Sequence, residues 1–332
     1  MFSVLAKTRS LLLCFSIGWS VYLLQACQSM DTPAVSGWQQ ANEYFRDGLW
    51  REAYREYLAL LKQGHPPPLG IYRKLGEVSI KLGQYIKAEE FLQRSSQRAP
   101  GHFLTQFLLG EAYRGQGRFA EAIFHYKAGL KIRPTDQESL KALAWSYFRT
   151  HYYSEALQLS RKLHRLYPQD GQGVIIEART LLKMNRLQEG YRLIRRELRR
   201  APQMIKPYYQ SVAGDLLLSM GQLRRAYAAY KKAIRREPLL AGALLGLGRC
   251  LVARGKLKKA VVYMERAVRA RPTLTEGYLA LAKAYEKLQS PKALYFYRYF
   301  RRKVAADPEY LSMVPRLDAK IRGLASARQG QG

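Results

Sequence analysis

The side chains able to do chemistry are few and scattered. Five histidines, His65, His102, His125, His151 and His164, are spread along the chain without the spacing of a metal-ligand set. There is no Gly-rich phosphate loop, no nucleophile elbow and no paired-carboxylate motif. These residues point away from catalysis, and no cofactor or metal is expected. Three cysteines, Cys14, Cys27 and Cys250, are too few for a disulfide framework. Only Cys27 stands in a suggestive place. The apolar, uncharged stretch from Leu11 to Leu24 follows Lys7 and Arg9, stops just before Ala26-Cys27, and gives way to a polar segment. Its 14 residues fall short of the roughly 20 needed to span a bilayer. The segment therefore reads as a secretory signal, residues 1–26, rather than a permanent span.

Leu24-Gln25-Ala26-Cys27 resembles a bacterial lipobox, with leucine three places before the cysteine and a small residue directly before it. Gln25 departs from the small or hydroxyl residue usual at that place. The resemblance implies that the Cys27 thiol is acylated and becomes the new N-terminus. Gln28 in place of Asp implies, by resemblance to the enterobacterial sorting rule, an outer-membrane lipoprotein facing the periplasm. An uncleaved inner-membrane anchor is the alternative. Residues 27–33 read as a polar tether.

The elements that follow are set by a period. Pro66, Pro100, Pro134, Pro168 and Pro202 are 34 residues apart, and Pro238, Pro272 and Pro308 continue the ladder with two small slips. The clearest unit, residues 103–134, carries Leu109-Gly110, Tyr113, Gly117, Phe119, Ala122, Tyr126 and Pro134. These residues resemble the tetratricopeptide (TPR) repeat, and the match recurs along residues 34–308. The resemblance implies an all-α solenoid of about eight helical hairpins. Small residues lie where paired helices cross, a positive-φ residue such as Gly117 ends each first helix, and proline closes each second helix. No such unit buries its apolar face alone, so stacking makes the core. The array is irregular at 171–206, where a two-residue insertion precedes Pro207. It is irregular again at 289–308, where the eighth turn is one residue short and a longer second helix is expected. Residues 309–332 read as a capping helix from near Pro315 and a polar tail.

Charge is the other strong signal. The 332 residues hold 56 Lys and Arg against 25 Asp and Glu, net +31, which implies a long-lived anionic neighbour. Many basic residues end second helices, where they complement the helix dipole. The start of the second helix is different. The residue before its small position reads Glu52, Lys87, Glu121, Glu155, Glu189, then Arg225, Lys259 and Lys292, with Arg224 and Lys258 adding to the reversal. Acid is favoured there by about 0.3–1 kcal/mol, so helix stability is not the reason. Repeats 5–8 are read as presenting a basic face to anionic lipid, glycolipid or an acidic protein.

By resemblance to TPR folds, first helices line a concave groove. The residues mapped there are Leu104, Phe107, Trp145, Phe148, Arg149, Ile175, Arg179, Lys183, Arg249 and Lys283. Aromatic anchors beside basic groups suit a partner peptide with acidic residues. The expectation is a non-enzymatic, lipid-anchored scaffold that binds envelope proteins or their peptides. It would help assemble a pilus or secretin, a polysaccharide exporter or a cell-wall complex. The rival is a cytoplasmic protein binding nucleic acid through its basic half, disfavoured by the signal-like start and by the lack of any nucleic-acid module.

Overall fold

The computed structural model describes residues 33–63, 70–305 and 310–329. Cys27, the signal-like segment and the tether up to residue 32 lie outside the described residues, as do Pro66 and Pro308. The described residues hold seventeen α-helices, a short 3₁₀ turn at Leu311–Met313 and no strand. None of these helices is long and apolar enough to cross a membrane.

The chain divides into two compact units, at Ile132/Arg133 rather than at the 201–206 insertion. The first unit has three hairpins: α1 (Pro33–Arg46) with α2 (Trp50–Lys62), α3 (Ile71–Lys81) with α4 (Tyr85–Arg98), and α5 (Phe103–Gly115) with α6 (Phe119–Ile132). The second has five: α7 (Gln137–Arg149) with α8 (Tyr153–Leu166), α9 (Gln172–Lys183) with α10 (Leu187–Arg200), α11 (Lys206–Ser219) with α12 (Leu223–Arg236), α13 (Ala241–Ala253) with α14 (Leu257–Ala270), and α15 (Thr275–Lys287) with α16 (Lys292–Lys303). The capping helix α17 (Val314–Gln329) packs on α16. The first helix begins at Pro33, one residue inside the expected tether; proline suits a first helical position.

Helix α10 shows why these segments are helical. Leu187, Tyr191, Ile194 and Leu198 recur every three to four residues and enter one core cluster, with arginines between them facing water. Every intra-hairpin turn closes the same way. The residue after the positive-φ position donates its N–H to a carbonyl five residues back, as Arg118 does to Tyr113 at 2.9 Å and Lys256 to Leu251 at 2.9 Å, the Schellman pattern. The left-handed residue is glycine in five hairpins and His151, Asn185 and Gln289 in the others. His151 holds its place with help from the Tyr153 hydroxyl, 3.2 Å from its Nδ1.

Hairpin crossings are close. The Tyr230 ring is fully buried and sits between Gly214 of its own first helix and Gly246 of the next. A Cβ on either glycine would lie 2.5 Å or 2.2 Å from ring carbons. The eighth hairpin corrects an expectation: α16 has 12 residues against 13 or 14 in the preceding second helices, so it is shorter, not longer. Gln289 lies four residues before Ala293, and the helix starts only at Lys292. Its end is set by Val304, which leaves the helix to bury in the terminal core with Phe300 and Leu317.

Candidate peptide groove and basic rim

Each first helix carries one residue directly after its small crossing position. In the second unit these are Trp145, Arg179, Asp215, Arg249 and Lys283. Because every hairpin repeats the same geometry, they share one register on one face of the stacked first helices. Trp145 stacks on Phe148 with centroids 5.1 Å apart and planes 21° from parallel, an arrangement that holds both rings rigid. The Arg179 guanidinium lies 5.9 Å from the Trp145 ring centre and has no carboxylate partner of its own among the described residues.

Asp215 accepts a 2.7 Å hydrogen bond from the Tyr230 hydroxyl. Burial pushes its carboxyl pKa up, against that bond and the charges of Arg179 and Arg249. Arg249 donates to Glu276 at 2.8 Å. Burial works against its charge, but Glu276 and Asp215 prevail and its pKa is raised. Arg271, at the end of α14, is shifted the other way, first by burial and then by the like charge of Arg179.

The structure brings together the residues mapped on α7 and α9. Trp145, Phe148, Arg149 and Arg179 are half-buried, Lys183 and Lys283 are exposed, and the Arg249 side chain is partly exposed (42%) beside Glu276. Leu104 and Phe107 belong to the first unit, where Phe107 packs 6.1 Å from the Tyr126 ring. Ile175 is a correction. It is 6% exposed and packs with Ala178, Leu181 and Val212 in the core of the second unit. Its place in the first helix turns it toward α10 and α11 instead of the groove. Asp215, Glu276 and Arg271 were not foreseen. Counting every residue that follows a small crossing position would have found Asp215, but nothing local marks the other two.

Arg224, Arg225, Lys258, Lys259 and Lys292 are all exposed at the N-terminal ends of α12, α14 and α16. No acidic side chain among the described residues pairs with any of them. Arg225 donates to the Tyr191 hydroxyl at 2.8 Å, and Lys292 lies over the Tyr285 ring at 5.5 Å. Two of the four acids at the same register are paired, Glu121 with Arg118 at 2.8 Å and Glu189 with Arg186 at 2.6 Å. Cys250 is fully buried, and burial raises its thiol pKa to about 11. No group of three or more His, Cys, Asp or Glu among the described residues is placed to hold a metal ion.

Tetratricopeptide-repeat models match residues 69–135 and 212–274. A model described as anaphase-promoting complex, cyclosome, subunit 3, matches residues 115–197. No curated protein matches the chain in sequence. Among solved structures, a tetratricopeptide repeat protein from Parabacteroides merdae is similar at 16% identity, covering 76% of this chain and 98% of that one, with a TM-score of 0.68. A chain of the APC/C hetero-tetramer Cut9–Hcn1 is similar at 12% identity over 81% of this chain and 52% of that one, TM-score 0.54. The human IFIT1 dimer with m7Gppp-AAAA is similar at 19% identity over 78% of this chain and 66% of that one, TM-score 0.52. These are likenesses of fold, and the chain spans about half to two thirds of the last two.

Proposed function

The chain is a tetratricopeptide-repeat protein, a protein-interaction scaffold, and from that premise we propose that its second unit captures an acidic peptide segment of a partner without catalysing a reaction. The observation that carries this is the shared register of Trp145, Arg179, Arg249 and Lys283, with Phe148 stacked beneath the tryptophan. A peptide apolar side chain rests on the Trp145–Phe148 stack while its carboxylates meet Arg179 and Lys183. Further, the lipobox-like Cys27 is acylated after loss of residues 1–26. The array then works in the bacterial envelope, at the outer membrane, assembling a pilus or secretin, a polysaccharide exporter or a cell-wall complex. The unpaired basic rim meets anionic lipid, glycolipid or an acidic protein, and each Lys or Arg held near an anionic membrane contributes about 1 kcal/mol.

A second reading places RNA in the same groove. Net charge favours it, since residues 133–332 hold 40 Lys and Arg against 15 Asp and Glu. The fold likeness to a chain solved with m7Gppp-AAAA also favours it.

The test is to express wild type and Cys27→Ser, partition both into detergent, and weigh the N-terminal peptide. An acylated Cys27 start, absent in the variant, is expected; an intact residue 1 overturns the anchor. Binding of a capped RNA oligonucleotide with an affinity falling steeply in salt, beside no binding of acidic peptide, would replace the peptide reading with the RNA reading.

A further inference from the structure

The insertion before Pro207 borders a cleft that holds two unpaired carboxylates. Thirteen acidic side chains are described in the second unit. Ten are held by a hydrogen bond or ion pair, from Asp136 at the start of α7 to Asp318 on the capping helix. Three have neither: Glu155, Asp170 and Glu237. Two of those three, Asp170 and Glu237, line one cleft of about 650 Å³ between the start of α9, the 201–205 loop and the end of α12. The Oδ2 atom of Asp170 is sealed from solvent with no hydrogen-bond partner. An unmet buried acceptor is unfavourable, the more so when charged. The nearby cation does not relieve it, because Arg236 donates to Gln203.

Gln172, Gln203 and Arg236 also line the cleft, and the remaining wall is apolar and open. Met204 is 81% exposed and Tyr208 43%, and Pro207 and Ile175 line it. Its floor is fixed, because Gly171 has φ +71° and a Cβ there would meet Ile205 at 2.8 Å. In a chain of net +31, two unpaired carboxylates beside an exposed methionine and tyrosine are the reverse of the general surface.

We infer that this cleft binds a basic, apolar peptide segment of a partner protein. A lysine ammonium is received by Glu237 and by Oδ1 of Asp170, the oxygen not sealed from solvent, and the neighbouring apolar side chain lies against Met204 and Tyr208. The site is separate from the groove and selects opposite charge, so one chain holds two chemically different partners at once.

The probe is an acetylated, amidated hexapeptide alternating Phe and Lys, titrated into the full chain by calorimetry, with the Phe/Glu hexapeptide as control. Asp170→Asn and Glu237→Gln are each expected to weaken the Phe/Lys peptide about tenfold. Arg236→Gln is expected to tighten it, and Trp145→Ala to leave it unchanged. Circular dichroism checks that each variant is folded. Equal affinity in the Asp170→Asn/Glu237→Gln double variant overturns the site, as does equal binding of the Phe/Glu peptide at this cleft. So does the absence of saturable Phe/Lys binding at about 1 mM peptide.

Discussion

The two units share a backbone and differ in what they hang on it. At the register after the small crossing residue the first unit reads Asn42, Glu77 and Glu111, and the second reads Trp145, Arg179, Asp215, Arg249 and Lys283. In the first unit those groups are spent internally. Tyr57 donates to Asn42 at 2.8 Å, Lys74 pairs with Glu77 at 3.4 Å, and Glu111 takes both Arg114 and the Tyr126 hydroxyl. In the second unit Asp215 and Arg249 are likewise paired, but Arg179 and Lys283 have no hydrogen bond or ion pair among the described residues. The difference separates scaffold from site: crossing glycines, turn caps and prolines fix where a side chain points, and the register positions left free decide what is bound.

The largest effect expected is on binding. Trp145→Ala removes the anchor and weakens an acidic, aromatic-containing peptide about 30-fold or more, as a central aromatic does, whereas Phe107→Ala in the first unit leaves titration by fluorescence anisotropy unchanged. Next comes packing. Gly246→Ala drives a Cβ into the Tyr230 ring and destabilises the protein by about 1–3 kcal/mol in urea unfolding. Gly129→Ala in α6 meets nothing closer than 3.6 Å and stabilises by about 0.5–1 kcal/mol through helix propensity. A reversed order of these two would break the packing account.

Lys258→Glu with Lys259→Glu sharpens the contrast at the rim. Acids in the first turn of α14 raise stability by about 0.3–1 kcal/mol each, while flotation with anionic vesicles falls. Loss of stability, or unchanged flotation, would remove the rim's assigned role. Gln289→Gly relieves a left-handed residue (φ 53°) and stabilises by about 1 kcal/mol. The smallest effect is a pH dependence. Burial raises the folded-state pKa of Asp215, so its ionisation opposes folding above that pKa and the cost vanishes below the unfolded carboxylate range. Asp215→Asn is therefore more stable than wild type at neutral pH. The gap closes on acidification, as chemical unfolding at a series of pH values would show.

Much of this fold is written in the sequence because its marks are backbone requirements. A left-handed turn residue, a small crossing residue and a helix-ending proline have few substitutes, so their 34-residue recurrence survives inspection even where His151 replaces glycine. Side-chain direction within a first helix is less legible. The repeat register maps Ile175 to the groove, yet on α9 it packs into the core with residues of α10 and α11. Pro308 predicts a longer α16 than the chain forms, because Val304 is buried just past Lys303 and the helix ends there. The acid-lined cleft was not legible at all. Which carboxylates lack a partner depends on contacts between residues as far apart as Asp170 and Glu237.

The central claim is that the second unit's first-helix face binds an acidic peptide, and calorimetry on the full chain tests it most directly. The titrant is a peptide alternating Glu and Phe, measured against wild type, Arg179→Glu and Glu111→Gln. The account predicts saturable binding that Arg179→Glu abolishes and Glu111→Gln leaves intact. Binding indifferent to Arg179→Glu, or lost equally in Glu111→Gln, would contradict it.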